Sequence, residues 1–230
     1  MKSGFFVTGT DTDVGKTWSS VALMCALQAQ GLRVVGMKPV AAGCEWTRDG
    51  WRNQDALLLQ QHASLAMDYP IVNPYAFEKP VSPHIACGDT AVEMEAILKA
   101  FRELQTISDL VLVEGAGGWH SPLSRDFDNA GLAQALGLPV ILVVGMRLGC
   151  INHALLSYRA ILQAGVGLAG WLAVEIDPVM REFQANLEYL ADRIEAPLLG
   201  VLPHLDSPDF EVLAKFIKME TGDFLIQINK

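Results

Sequence analysis

The sequence has few of the residues that build metal clusters and disulfide frameworks. Its five histidines show no HExxH motif or comparable spacing, and its four cysteines are scattered without a CxxC pair. This pattern argues against a zinc site and against a small disulfide-rich fold, so we expect reduced, mostly structural thiols in a cytoplasmic protein. Each histidine is interpreted as a packed or surface residue rather than as a catalyst.

Long apolar runs and an excess of positive charge are also missing. The longest apolar stretches, 138–146 and 164–174, are shorter than the roughly 20 residues that span a bilayer, and we expect no secretory signal at the start of the chain. Acidic residues outnumber basic ones 26 to 17, which gives a net charge of −9 and a pI near 5.0. We therefore expect no membrane and no nucleic-acid partner, and a small molecule is the expected substrate.

The apolar content, 51% of 230 residues, is sufficient for one large domain over 1–230. Six short runs rich in Val, Ile and Leu hardly alternate with polar residues, which is typical of parallel strands buried on both faces. They cover 5–7, 34–37, 110–113, 140–144, 170–174 and 198–201. Helical patterns lie between them, over 16–30 before Gly31, around 97–104, over 150–164 and over 181–194. The predicted fold class is α/β, a single-domain, doubly wound, mostly parallel sheet with helices on both faces.

Ligands of such sheets bind beyond the carboxyl ends of the strands. Polar segments follow four of the predicted strands, at 9–17, 38–40, 114–118 and 145–149. We expect these segments to meet at one edge of the sheet. The stretch 46–85, rich in Pro, Asn, Asp and Tyr, is the least regular part of the sequence and is expected to carry loops over the site.

Residues 9–17 read GTDTDVGKT, directly after the first predicted strand. A glycine turn before a helix that opens with Gly15, Lys16 and Thr17 would surround a phosphate chain with backbone N–H groups. Lys16 would reach the β- and γ-phosphates, and the Thr17 hydroxyl would bind Mg²⁺. The motif predicts a fold of the P-loop NTPase type, although five residues instead of the usual four separate its glycines. The alternative is an ordinary glycine-containing turn.

Charged residues at the ends of other strands are candidates for the same site. Glu114 follows a buried strand, where an acid is costly unless it is paired or bound to a metal, so it is predicted to hold Mg²⁺. A strand-end salt bridge is the alternative for Glu114. Lys38 and Arg147 could stabilise negative charge on a substrate or be solvated surface residues. Asp55, by its position alone, is a helix N-cap or a first-turn acid.

In their order along the chain, these motifs resemble those of the dethiobiotin synthetases. The similarity covers about the first 160 residues, with a looser fit at 168–171 and 196–200. The segments that carry it are GTDTDVGKT (9–17), GMKPVAAG (36–43), RNQDAL (52–57), VNPYAFEKPVSPHIA (72–86), LVEGAGGW (112–119) and LGCINHALL (148–156).

The resemblance implies an ATP-dependent ligase that closes the ureido ring of dethiobiotin. Its substrates would be 7,8-diaminopelargonic acid, carbon dioxide and MgATP. One amine would capture carbon dioxide as a carbamate, the γ-phosphoryl group would pass to the carbamate, and the second amine would close the ring, leaving ADP and phosphate. The resemblance also implies a homodimer whose substrate site is completed across the interface.

Site residues follow from the matched motifs. The resemblance implies catalytic roles for Lys16, Lys38 and Thr12, and Mg²⁺ ligation by Thr17, Asp55 and Glu114. The predicted substrate contacts are Thr12, Lys38, Ala42, Arg147 and, from across the interface, Asn152. The predicted nucleotide contacts are Asp13, Val14, Gly15, Lys16, Thr17, Trp18, Asp55, Glu114, Gly115, Ala116, Gly117, Val174 and Glu175. Pro203, His204 and Leu205 join this set only because they follow the sixth predicted strand, and whether the polar tail 222–230 adds to the base pocket stays open.

Four positions depart from the family pattern. Asp13 stands where the loop usually has Glu, and Ala42 replaces a serine that contacts substrate, which removes a hydrogen bond worth about 1 kcal/mol. Arg147 replaces a lysine, so a planar fork takes the place of a point charge. Val174, followed by Glu175, stands where an Asn-Asp pair would recognise the purine base. This last change predicts that other nucleoside triphosphates support turnover.

Two other interpretations stay open. A switch ATPase of the chromosome-partitioning type usually carries a second lysine early in the phosphate loop, and residues 10–14 contain none. The acidic chain also lacks an evident basic face for DNA. The second interpretation is a related ligase that acts on a different diamine, because Ala42 and Arg147 occupy substrate positions.

Overall fold

A six-stranded, entirely parallel sheet forms the centre of the molecule. The structure is a computed structural model that describes residues 4–219. Its strands are β1 (Gly4–Gly9), β2 (Val34–Met37), β3 (Val40–Ala42), β4 (Glu45–Thr47), β5 (Gly50–Arg52), β6 (Tyr75–Phe77), β7 (Leu110–Gly118), β8 (Val140–Gly145), β9 (Leu168–Val174) and β10 (Leu198–Leu202). The large sheet has the order β10-β9-β8-β1-β7-β2, which confirms the predicted α/β, doubly wound class.

Helices cover both faces of this sheet. They are α1 (Lys16–Gln28), α2 (Gln54–Gln61), α3 (Tyr69–Val72), α4 (Pro83–Ala86), α5 (Met94–Ile107), α6 (Asn129–Leu136), α7 (Cys150–Gln163), α8 (Phe183–Ala191) and α9 (Phe210–Ala214). Phe6 belongs to the core packed by α5, α6, α7 and α8, whereas Phe5 and Val7 belong to the core packed by α1 and α9. Successive strand residues point to opposite faces, so a strand covered on both sides is apolar throughout.

The strand order places a crevice beside β1. From β1 the chain passes to the edge strand β2 and returns to β7, and it then crosses to the other side of β1 to build β8, β9 and β10. The connections therefore leave β1 in opposite directions, and ligands of open parallel sheets bind at such a point. The loop between β1 and α1 lies there.

The stretch 46–85 consists of short elements at the carboxyl edge of the sheet. β3 pairs in parallel with β6, and β4 pairs with β5 in an antiparallel hairpin. The predicted irregularity of this stretch is confirmed, since α3 and α4 contain only four residues each. All four cysteines lie in the described part of the chain and are free thiols, as predicted.

Some predicted boundaries are wrong by a few residues. α1 ends at Gln28 rather than at residue 30, although Gly31 does adopt a left-handed φ of 88° just beyond it. α8 begins at Phe183 because Glu182 has a φ of 55°, which is incompatible with a helix. The third strand was predicted to end at residue 113, but β7 continues to Gly118. A register shift between Val7 and Gly9 of β1 allows Gly9 to pair with Gly118. The polar tail 222–230 lies outside the described residues.

Candidate active site

The loop after β1 bends sharply before it enters α1. Gly15 is the N-cap residue of α1 with a φ of 85°, and Asp13 also has a positive φ of 56°. A Cβ atom added to Gly15 would lie 2.9 Å from Cγ1 of Val174. Glycine is required here for two reasons, the left-handed backbone and the close approach of β9. The turn leaves the first N–H groups of α1 directed at the crevice, as the phosphate-loop prediction requires.

Lys16 is nearly buried at the head of this loop. Its Nζ donates a hydrogen bond to the carbonyl oxygen of Asp11 over 2.7 Å, which folds the side chain back along the loop. Burial, helped by the nearby Lys38 ammonium, lowers the pKa of Lys16 to about 8, although Glu114, Asp55 and Asp13 act in the opposite direction. The Lys16 ammonium is therefore poorly compensated, which suits it to an incoming anion.

A second lysine sits inside an acidic cluster below the loop. Nζ of Lys38 donates to Oε1 of Glu114 over 2.6 Å, to Oδ2 of Asp55 over 3.1 Å and to the carbonyl oxygen of Gly115 over 3.3 Å. The hydroxyl of Thr17 donates to the same Glu114 oxygen over 2.9 Å. Burial alone would lower the pKa of Lys38, but the Glu114 and Asp55 carboxylates outweigh it and raise the pKa. Burial alone would raise the pKa of Asp55, but the Lys38 ammonium and then the hydrogen bond from Thr17 outweigh burial and lower the pKa.

Oxygen ligands for a magnesium ion are available in this cluster. Glu114 is fully buried, and its Oε2 has no hydrogen-bond partner among the described residues. Thr17, Asp55 and Glu114 offer hydroxyl and carboxylate oxygens, the donors that Mg²⁺ prefers. Between residues 4 and 219, no three His, Cys, Asp or Glu side chains are grouped so that they could hold a metal by themselves. The residues thus fit an ion that is completed by nucleotide phosphates and water.

One cavity of about 860 Å³ joins the loop, the acidic cluster and the stretch after β3. Three of the four polar segments that follow strands contribute to its wall, and Arg147 of the fourth segment, 145–149, contacts Asp11 of the loop, so the expectation that these strand ends meet is confirmed. The predicted residues in its wall are Thr12, Asp13, Gly15, Lys16, Thr17, Trp18, Lys38, Ala42, Asp55, Ala116 and Gly117. Gly115 borders it through the carbonyl group that accepts from Lys38, and Glu114 lies beneath it.

Other predicted residues lie outside this wall. NH2 of Arg147 donates to Oδ2 of Asp11 over 2.7 Å, so both charges are partly committed to each other. Val14 is buried with its side chain against Gly145, which leaves only its backbone available to a ligand. Asn152 is exposed on α7 beside a separate depression of about 450 Å³.

The predicted base-contacting residues cluster at the ends of β9 and β10. The side chain of Val174 is buried against Gly15, on the far side of the phosphate loop from Lys38. Glu175 accepts a hydrogen bond from the backbone N–H of His204 over 3.3 Å, which joins the two strand ends. Pro203 and Leu205 flank His204 and are half-buried. Their role in base binding stays a prediction.

Sequence reasoning missed several polar residues that shape the cavity. Asn129 is buried and donates from Nδ2 to the carbonyl oxygens of Ala116 and Gly118, over 2.7 Å each, so it holds the glycine turn after Glu114. The hydroxyl of Ser121 accepts from the N–H of Gly118 over 2.8 Å and lies in the cavity wall. Asn53 and Ser82 also line the cavity. For Asn53 and Ser82, the only indication in the sequence was that they belong to the matched segments 52–57 and 72–86. No feature of the sequence marked Asn129 or Ser121.

Comparison with known proteins gives a consistent family. Residues 3–211 match the family model described as an AAA domain. The ATP-dependent dethiobiotin synthetase BioD of Xanthomonas axonopodis pv. citri is 50% identical over 201 residues, which are 86% of this chain and 90% of the relative. The protein of the same name from Vibrio campbellii is 46% identical over 222 residues, 96% of this chain and 98% of the relative.

Solved structures of low identity share the fold. The MinC:MinD cell division complex of Aquifex aeolicus gives a TM-score of 0.60 at 16% identity, covering 99% of this chain and 96% of that one. Cobyrinic acid a,c-diamide synthase of Mycobacterium smegmatis, solved with ADP and magnesium, gives 0.55 at 19% identity, covering 94% and 92%. At these identities the likeness concerns the fold alone.

Proposed function

The chain belongs to the family of ATP-dependent dethiobiotin synthetases, ligases of biotin biosynthesis, and from this premise we propose which residues close the ureido ring and how. The substrates are 7,8-diaminopelargonic acid, carbon dioxide and MgATP. The observation that carries the proposal is the buried Lys38 ammonium between Asp55 and Glu114, which faces the same cavity as Lys16 and Thr17.

The reaction has three steps on the diamine. One amine nitrogen bonds to carbon dioxide and loses a proton, which gives a carbamate. A carbamate oxygen then takes the γ-phosphoryl group of ATP, and ADP leaves. The second amine nitrogen attacks the carbonyl carbon of this anhydride, the C–O bond to phosphate breaks, and the ring closes with loss of a proton and of inorganic phosphate.

The phosphate side of the cavity stabilises negative charge. The backbone N–H groups at the start of α1 and the Lys16 ammonium bind the phosphate chain, because both are positive and directed at the crevice. Lys38 contacts the carbamate and the transferring phosphoryl group, where an ammonium in a buried site is worth more than in water. Mg²⁺, held by Thr17, Asp55 and Glu114, would neutralise charge on the phosphates.

The opposite side of the cavity binds the diamine. Thr12 and Asp13 line the cavity from the phosphate loop. Asp11 is paired with Arg147, so Asp13 is the loop acid that faces the amines. Ala42 contributes an apolar wall, and the substrate gains no hydrogen bond there.

We further propose a homodimer in the cytoplasm, each chain forming one ligase domain over 1–230. The support for the dimer is the apolar surface of α7 around Asn152, where Leu148 is 95% and Leu156 is 58% exposed. Among residues 4–219 there is no helix with the length and apolarity needed to cross a bilayer. A switch ATPase is not favoured, because relatives that share about half of the residues are named synthetases.

The test is to incubate the protein with diaminopelargonate, bicarbonate and MgATP and to measure the ureido product by mass spectrometry. Dethiobiotin and ADP are expected in equal amounts. A Lys38→Ala variant should bind ADP as tightly as the wild type yet lose at least about 10²-fold in ring closure, whereas the exposed Lys215→Ala should match the wild type. Nucleotide hydrolysis without ureido product at any diamine concentration would contradict the assignment. A product from another diamine only would identify a different substrate.

A further inference from the structure

Three buried residues, Asn53 through its backbone N–H and Tyr69 and Asn73 through their side chains, form a continuous chain of hydrogen bonds beneath the active site. The backbone N–H of Asn53 donates to the hydroxyl of Tyr69 over 2.7 Å, and that hydroxyl donates to Oδ1 of Asn73 over 2.9 Å. The relative exposures of Asn53, Tyr69 and Asn73 are 8%, 7% and 3%. Tyr69 opens α3 and Asn73 follows its last residue, so this one short helix presents both side chains.

One end of this series of hydrogen bonds holds the backbone of Lys38. Nδ2 of Asn73 donates to the carbonyl oxygen of Lys38 over 2.6 Å and to that of Tyr75 over 3.1 Å. The N–H of Lys38 in turn donates to the carbonyl oxygen of Val72 over 2.8 Å. The peptide groups on both sides of the Lys38 Cα atom are therefore fixed by α3 and by Asn73, at the point where β2 has ended.

The other end of this series of hydrogen bonds holds the start of α2, the helix that carries Asp55. Asn53 is the N-cap of α2, and its Oδ1 accepts from the N–H of Ala56 over 3.2 Å. Its Nδ2 donates to the carbonyl oxygen of Ala42 over 3.4 Å. Asp55 follows two residues later and makes the 3.1 Å ion pair with Lys38. The two partners of this ion pair are thus joined a second time, through the backbone, by Asn53, Tyr69 and Asn73.

We propose that Tyr69 and Asn73 are positioning residues for Lys38 in the ring-closing reaction, an inference that rests on the role proposed above for Lys38. Neither side chain touches the cavity, and both act by fixing the Cα position of Lys38 relative to Asp55. A lysine side chain is long and flexible, so the placement of its Nζ depends on where its backbone is held. Displacements of about 1 Å at a reacting group can cost as much as 10²-fold in rate.

The hydroxyl of Tyr69 is the central link of this chain. It accepts one hydrogen bond and donates another. Replacing the hydroxyl with hydrogen leaves the N–H of Asn53 and Oδ1 of Asn73 buried without these partners. Both groups would then shift toward water or toward new partners, since a buried polar group without a hydrogen bond is costly. The shifts would act on α2 and on Lys38 at the same time. The ring of Tyr69, which packs under the Arg52 guanidinium at 4.2 Å, is unaffected by loss of the hydroxyl.

The experiment compares Tyr69→Phe with Tyr158→Phe. Tyr158 is also buried, and its hydroxyl also accepts a backbone N–H, that of Glu195, but it lies on α7 away from the cavity. Tyr69→Phe is expected to lower kcat for dethiobiotin by about 10- to 100-fold with an unchanged Kd for ADP. Tyr158→Phe is expected to lower Tm with an unchanged kcat. A kcat for Tyr69→Phe equal to that of Tyr158→Phe, with similar losses of Tm, overturns the proposal.

Two further measurements separate this inference from the function on which it rests. In a Lys38→Ala background, Tyr69→Phe should lower the rate much less than it does in the wild type, because the lysine that it positions relative to Asp55 is gone; an undiminished further loss contradicts the proposal. If Lys38→Ala itself keeps full activity, the proposed role of Lys38 fails. If Lys38→Ala is inactive while Tyr69→Phe has the kcat of the wild type, only the present inference fails. Should Tyr69→Phe not fold, Asn73→Ser, which is too short to reach the Lys38 carbonyl, replaces it in the same comparisons.

Discussion

The acidic cluster around Lys38 illustrates what a charge costs when it is taken out of water. Lys38 is 4% exposed and Glu114 is fully buried, yet they are joined by a hydrogen bond of 2.6 Å. A buried ion pair adds little net stability compared with apolar residues of similar size, while loss of one partner costs about 3–5 kcal/mol. Stability is therefore not the reason for this cluster. Its position under the phosphate loop supports the catalytic and metal-binding roles proposed for the lysine and the carboxylates.

The sequence identified some residues of the site but not the contacts between them. Glu114 was predicted because an acid at the end of a buried strand is costly unless it has a partner or a metal, whereas Lys38 was a candidate only because it follows the second predicted strand. Their direct contact with each other was not predicted, since it depends on β2 and β7 being neighbours in the sheet. Tyr69 and Asn73 carried no such signal, because an uncharged polar residue in an irregular stretch is common at any surface. The role proposed for them rests on their burial and on their hydrogen bonds, which only the three-dimensional structure reveals.

Val174 carries the prediction about nucleotide selectivity. Its side chain is buried against Gly15 and offers a base no donor or acceptor. A missing hydrogen bond is worth about 1 kcal/mol, which is less than a tenfold preference. We expect kcat/KM for CTP and GTP to lie within about tenfold of that for ATP, and Val174→Asn to increase the preference for ATP. The check is dethiobiotin formation with each triphosphate, and a steep preference for ATP in the wild type would contradict the prediction.

At the scale of elements, the six strands of the large sheet were the most predictable part of the fold. Each is buried on both faces, so apolar residues run without alternation, as Phe5, Phe6 and Val7 show by contributing to opposite cores. The extent of β7 was missed because its last residues are a glutamate, three glycines and an alanine, which have no strand preference. Pairing with β1 decides the conformation of these residues. The elements of 46–85 were not predicted individually, since their short lengths depend on tertiary contacts.

The junction between β2 and β7 yields a prediction about pH. Asp109 accepts from Nε and NH2 of Arg33 and from the backbone N–H of Arg33, while its own N–H donates to the Arg33 carbonyl. These side-chain and backbone hydrogen bonds lower the pKa of Asp109 to about 2. A lowered pKa stabilises the folded protein above pH 4, and this contribution disappears as pH falls from about 4 to about 2.

We therefore expect Asp109→Asn to lower Tm slightly at pH 7 and less at 1 M salt, because the pair is exposed and screened. The difference in Tm from the wild type should shrink steadily below pH 4. The measurement is thermal unfolding by circular dichroism from pH 7 to pH 2. The exposed Asp49→Asn, at the hairpin turn, serves as the control. A Tm difference for Asp109→Asn that is the same at pH 7 and at pH 2.5 would refute the assigned ion pair.

At the scale of the whole molecule, the apolar surface around α7 supports the proposed homodimer. Leu156 is largely exposed on α7 beside Ile151, Asn152 and Leu155, and the exposed Leu148, just before the helix, borders the same depression. Exposed apolar patches bounded by polar residues mark interfaces, and a two-fold dimer would bring this patch against itself. We expect Leu156→Glu to convert a dimer into monomers in sedimentation equilibrium and to raise KM for the diamine. Ile107→Glu, an exposed apolar position on α5, should leave the dimer intact. A wild type that is monomeric at assay concentration would contradict the interface.

If Asn152 contributes to the site of the neighbouring subunit, as proposed, two defective variants should complement each other in a mixed dimer. Asn152 lies outside the wall of the cavity that holds Lys38, so in a dimer the two residues would serve one site from different chains. In a hybrid of a Lys38→Ala chain and an Asn152→Ala chain, one site carries both changes and the other carries neither. Mixing the two weakly active variants under conditions of subunit exchange should therefore restore about a quarter of the wild-type rate at low diamine concentration. If both residues act within one chain, every site in the mixture keeps one defect, and the rate stays at the average of the two variants.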